Sequence, residues 1–126
     1  MKVSIEHKDK ASGLIFKTHQ VAVSVAVIFS EEELAVIKGR KLKDYVVLER
    51  QPDKLRRERL GDAMRDNPGM FNLHVRDLVS GRADEFFCDT PIDAKIYEQN
   101  LKAGLKTLKD FITGNAETGT ATTFEL

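Results

Sequence analysis

The longest patterned run of the chain is Gln20 to Ser30, where Val21, Val23, Val25, Val27 and Phe29 alternate with Ala22, Ser24, Ala26 and Ile28. A period of two places the first set on one face of a β-sheet and the second set on the other. The large residues share a face. The opposite face is small and largely apolar, which suits close approach of a helix or a second subunit better than it suits water. The strand therefore reads as central or interfacial, and Ala22, Ser24, Ala26 and Ile28 are the candidate interface residues.

At Ser30 the pattern changes. The Ser30 hydroxyl can accept from the orphan amides of a helix, and Glu33, three residues on, can reach back to the Ser30 amide. Phe29 and Leu34 are spaced as a hydrophobic staple, and Glu31, Glu32 and Glu33 complement the positive end of the macrodipole. A helix is expected from about Glu31 to Lys38, with Gly39 as its left-handed stop.

Upstream, Val3 and Ile5 alternate with Lys2, Ser4 and Glu6 as in a half-buried strand, and the charged run His7 to Gly13 reads as a turn into a long strand beginning at Leu14. Downstream, Tyr45 to Leu48 is a short β-rich run. Pro52, Gly61, Pro68 and Gly69 then mark Gln51 to Met70 as a loop that carries a short helix around Leu55 to Leu60. Ser80-Gly81 is a plausible turn between Phe71 to Val79 and Arg82 to Cys88. Folding about it gathers Leu73, Val75, Phe86 and Cys88 on one face and sets Arg76 opposite Glu85 on the other, the sorting expected of a second hairpin.

The last element has the strongest start signal, with Thr90 as cap, Pro91 in the first helical position and Asp93 three residues after the cap. Ile92, Ile96, Leu101, Leu105, Leu108 and Ile112 recur at helical spacing until Gly114. From Asn115 onward the periodicity is lost. The pattern thus predicts one α+β domain over 1–114, followed by a mobile tail over 115–126. Its mostly antiparallel sheet is built of two hairpins plus a short strand, with one short and one long helix packed on one face.

A chain of 126 residues can bury roughly two thirds of its unfolded surface without a metal or disulfide staple. Its 20 basic and 20 acidic residues balance, which argues against attraction of the whole domain to nucleic acid or an anionic membrane. A single cysteine, a charged Met1 to Lys10 segment and an apolar run too short to span a bilayer place the expected location in the cytoplasm. The charge is nevertheless uneven: Lys38 to Arg59 holds nine basic residues against four acidic ones. Lys38, Arg40, Lys41, Lys43, Arg56, Arg57 and Arg59 form a candidate basic patch able to contact phosphates. Only Tyr45 offers a stacking platform among them, and a solvated face is the commonest explanation for such a run.

Candidate chemistry is sparse. Asp77 and Asp84 face each other in the proposed second hairpin, and two close carboxylates could form an acid/base pair or a cation site. Splayed into water beside Arg82, they would be inert. His7, His19, His74 and Cys88 lack the close spacing of metal ligands, and Cys88 reads as a small buried hydrophobe. Neither a glycine-rich phosphate loop, a Gly-x-Ser-x-Gly elbow nor a His-Glu-x-x-His pattern is present. No catalytic residue, metal or cofactor is expected. The leading expectation is a non-enzymatic interaction module that self-associates as a homodimer. Two alternatives are a nucleic-acid-binding accessory protein, and a small-molecule binder or enzyme with a pocket between the sheet and the long helix.

Overall fold

The computed structural model describes residues 1–12, 18–50, 61 and 72–114. Strand β1 (Lys2–Ser12) and strand β2 (Thr18–Ile28) form an antiparallel hairpin in which Lys2 lies opposite Ile28 and Ser12 opposite Thr18. Helix α1 (Glu31–Gly39) follows, then a single 3-10 turn at Leu42–Asp44 and strand β3 (Val46–Leu48). The chain re-enters as strand β4 (Leu73–His74), helix α2 (Val75–Val79), strand β5 (Asp84–Cys88) and the long helix α3 (Pro91–Thr113). The fold is α+β, with a three-stranded antiparallel sheet ordered β1-β2-β5 and a two-stranded sheet of β3 and β4. As its alternation predicts, β2 is central.

Both long-range helix starts form through the expected chemistry. The Glu33 amide donates to Ser30 Oγ at 3.1 Å and the Ser30 amide donates to Glu33 Oε1 at 2.8 Å, a complete capping box. The Asp93 amide donates to Thr90 Oγ1 at 3.1 Å, and Gly114, at φ 84°, closes α3 in the left-handed region. At the end of α1 the outcome differs: Gly39 remains helical and the left-handed residue is Lys41, at φ 55°.

Three further expectations are corrected. The charged run from His7 does not turn but continues β1 to Ser12, because β2 supplies backbone partners along its whole length. The second hairpin does not form. Val75 to Val79 is helical, held by the His74 amide donating to Asp77 Oδ2 at 2.8 Å, and β5 pairs with β2, setting Cys88 opposite Val21 and Phe86 opposite Val23. Val75 and Leu78, three apart, both point inward on the helix, so an apolar spacing that fits a strand in part fits one helical turn better. The apolar stripe of α3 runs as expected through Leu101, Leu105, Leu108 and Ile112 but departs from the expectation in the first turns. Ala94, Tyr97, Leu101, Leu105 and Leu108 are buried, whereas Ile92 is 72% and Ile96 50% exposed. Apart from Gly61, the expected loop over Gln51 to Met70 lies outside the described residues, as does the expected tail over 115–126.

A single core joins the inner face of β2 (Val21, Val23, Val25, Val27) to Ile37 of α1, Val47 of β3, Leu73, Val75 and Leu78, and the buried stripe of α3. Helices therefore cover one face of the three-stranded sheet. The closest approach is at Gly104, where a Cβ would lie 2.2 Å from the Val47 carbonyl oxygen. Only glycine lets α3 sit this close to β3.

Candidate functional site

The opposite face of the sheet follows directly from the registers, since residues paired across an antiparallel ladder point the same way. Ala22 is flanked by Lys8 and Phe87, Ser24 by Glu6 and Glu85, Ala26 by Ser4, and Ile28 by Lys2. Among the described residues no helix packs on this face, because the buried residues of α1, α2 and α3 all belong to the core on the other side. The four candidate interface residues form its central row. Ala22 is 1% exposed, Ser24 and Ala26 are half-buried, and Ile28 at the end of the row is 68% exposed. Half-buried Phe87 extends the apolar surface beside Ala22, and charges of both signs, Lys2, Glu6, Lys8 and Glu85, form the rim. Small side chains backed by one aromatic and ringed by charge permit the backbone of a second layer to come close.

The candidate basic patch is only partly assembled. Lys38, Lys41 and Lys43 are exposed around the end of α1 and the 3-10 turn. Arg40 instead reaches across to α3, where Nη1 donates to the Phe111 carbonyl at 2.5 Å, and so satisfies one of the last carbonyls of that helix. Asp44, within the same segment, pairs with Arg76 of α2 at 2.5 Å. Arg56, Arg57 and Arg59 lie outside the described residues.

The acidic pair does not face across a hairpin. Asp77 is engaged at the start of α2, and its Oδ2 also lies 3.6 Å from His74 Nδ1. Asp84, on the inner face of β5 opposite Val25, forms an ion pair with Arg50. Both carboxylates border a shallow cavity of about 330 Å³, together with Arg76 and Arg82. Among the described residues no cluster of three or more His, Cys, Asp or Glu is placed to hold a metal ion. His7 and His74 lie on separate elements, with His7 Nε2 2.7 Å from Glu98 Oε1; the side chain of His19 lies outside the described residues.

The Arg50 and Asp84 pair belongs to a small inward cluster that the alternation pattern does not announce. The Arg50 guanidinium carbon lies 5.3 Å from the centre of the Phe86 ring, and Phe86 stacks on Tyr97 with centroids 4.8 Å apart. Burial opposes the Arg50 charge, but the Tyr97 hydroxyl and the Asp84 carboxylate outweigh it and hold its pKa above the ordinary value. Burial also raises the Tyr97 pKa against the pull of Arg50. That hydroxyl, buried beside the guanidinium, falls short of full hydrogen-bond geometry with any described residue. Nearby, Cys88 is buried on the inner face, and burial, reinforced by the charges of Asp93 and Asp89, pushes its thiol up to about 11. A thiol so protonated at neutral pH is a packing group.

A groove runs between β1 and α3. It holds about 490 Å³, with Met1, Val3, Ile5 and Leu105 below and Glu98, Lys102, Lys106 and Lys109 above. The three lysines recur at helical spacing and so share one flank of α3.

No family model matches the chain, no curated protein matches it, and no solved structure matches it. No helix among the described residues is long and apolar enough to cross a membrane.

Proposed function

We propose that this protein is a small non-enzymatic interaction module of the cytoplasm that self-associates through the face of its three-stranded sheet on which no described helix packs. The observation that carries the reading is one-sided coverage among the described residues: the helices pack on the valine face of β2, while Ser24, Ala26, Ile28 and Phe87 on the other face keep exposed surface with no described layer over them. A sheet in an α+β domain gains by burying such a face, and a second copy related by a two-fold axis supplies an identical one.

The size of the face sets the expected strength. β1 and β2, with 11 residues each, are about 36 Å long and β5, with five, about 17 Å; at about 4.8 Å per strand the face offers at most about 430 Å² per partner. That is below the roughly 800 Å² per partner of a standard stable interface. The dimer is accordingly a weak one, with a dissociation constant on the order of micromolar or above.

The variant Ala26→Glu tests the reading. It places a carboxylate at the centre of the row, where pairing of two copies would bury it without a partner. The expected result is a monomer with an unchanged circular dichroism spectrum, measured by light scattering at concentrations where the wild-type protein is dimeric. A variant that associates as strongly as the wild type removes this face as the interface.

A further inference from the structure

The groove between β1 and α3 carries a separate inference, independent of the self-association reading. Three properties meet there. β1 is an edge strand, and along its 11 residues no described strand pairs with the side facing away from β2, so a row of backbone N–H and C=O groups is presented to a newcomer. The space beside that edge is shaped: α3 runs above it, and Val3, Ile5 and Leu105 form an apolar floor in which Val3 is still 43% exposed. The rim is cationic. Glu98 is held by His7 at 2.7 Å and by Lys102 at 3.0 Å, which lowers its pKa and commits its charge. Lys106 and Lys109 are left exposed, and among the described residues neither has an ion-pair partner.

We propose that the β1 edge and the α3 flank above it seat an extended acidic peptide segment of a partner protein, which adds to the sheet as a fourth strand. Backbone hydrogen bonds along β1 hold the segment, apolar side chains at its inward positions fill the floor, and carboxylates at neighbouring inward positions meet the lysines. From Lys102 to Lys109 the helix rises about 10 Å, a span of about three strand residues. Two carboxylates on the same side of a strand, about 7 Å apart, fit within that span.

The test uses the full chain and a fluorescein-labelled peptide of about nine residues, Thr-Val-Thr-Val-Thr-Glu-Thr-Glu-Thr, which puts its apolar and acidic side chains on one face. A control carries lysine in place of both glutamates. Anisotropy should show the acidic probe binding at low salt and weakening as ionic strength rises, with the control not binding. The double variant Lys106→Glu with Lys109→Glu, both on the surface, should weaken binding at least about tenfold while leaving the fold intact. Val3→Glu, at a partly exposed position, should do the same through the floor. Hydrogen exchange supplies the geometric readout: the amides of β1 should slow when the probe binds. Equal binding of the lysine control, undiminished binding by the charge-reversed variant, unaltered exchange along β1, or binding of a single-stranded oligonucleotide by these lysines in place of the peptide would each overturn the proposal.

Discussion

Gly104 and Gly39 are both helical glycines, and the structure assigns opposite signs to the same substitution at the two. In an isolated helix, glycine to alanine stabilises by up to about 1 kcal/mol, because the glycine backbone loses more freedom on folding. At Gly39, the last residue of α1, nothing lies within 4 Å of the added Cβ, so a gain of about 0.5 kcal/mol is expected. At Gly104 the Cβ would sit 2.2 Å from the Val47 carbonyl oxygen and 3.2 Å from Val47 Cγ1. A tolerable contact requires α3 and β3 to part by about 1 Å, and the neighbouring Leu101, Leu105 and Leu108 are buried in the same core. Overpacking of this kind costs about 1–3 kcal/mol, which exceeds the propensity gain. Gly104→Ala should therefore destabilise by about 1–2 kcal/mol net and lower Tm by roughly 4–8 °C. Urea titrations of both variants, followed by far-UV circular dichroism, give the comparison at constant slope. A Gly104→Ala protein as stable as the wild type, or more so, would refute the close packing of α3 on β3.

Other substitutions test the remaining contacts. Asp84→Asn removes the Asp84 charge from the largely buried Arg50 guanidinium and should cost about 1–3 kcal/mol by chemical denaturation; a neutral effect would mean the pair is solvated. Ser30→Ala should cost about 1 kcal/mol through loss of the reciprocal cap at α1, and Ser30→Asp should retain most of that stability. The Cys88 thiol, pushed up to about 11, should react with iodoacetamide far more slowly in the native than in the unfolded chain at pH 8. Because the folded state holds this proton more tightly, the associated stability is complete below the ordinary thiol range. It declines as pH rises from about 9 to about 11. Rapid native labelling at pH 8 would contradict the burial.

Local signals carried the sequence reading where the decisive interaction lies within a few residues. The Ser30–Glu33 and Thr90–Asp93 caps, the proline at the first turn of α3 and the two-residue period of β2 each involve neighbours in the chain, and each appears as expected. Reading failed where partners are distant. Cys88 and Phe86 alternate correctly for a strand, yet nothing in their spacing says that β2, more than 60 residues upstream, competes successfully with the adjacent Val75–Val79 segment for pairing. That segment is short enough for a strand and a helical turn to share its apolar positions, and the Asp77 cap decides between them. The row of Ala22, Ser24, Ala26 and Ile28 was legible because alternation alone assigns these four residues to one face. The presence of Phe87 beside Ala22 was not, since it depends on the β2–β5 register. The supposed meeting of Asp77 and Asp84 failed with the hairpin that produced it. Gly104 gave no local sign, because its need for hydrogen in place of a side chain arises from Val47, on another element.

Self-association through the sheet face on which no described helix packs is tested most directly by sedimentation equilibrium of the wild-type chain over a range from micromolar to millimolar. The expected result is a mass that rises with concentration from the 14.2 kDa of one chain toward twice that value and does not exceed it, as for a closed two-fold dimer. A mass of 14.2 kDa at every concentration would contradict it, and continued growth beyond the dimer would point to an open, edge-to-edge assembly instead.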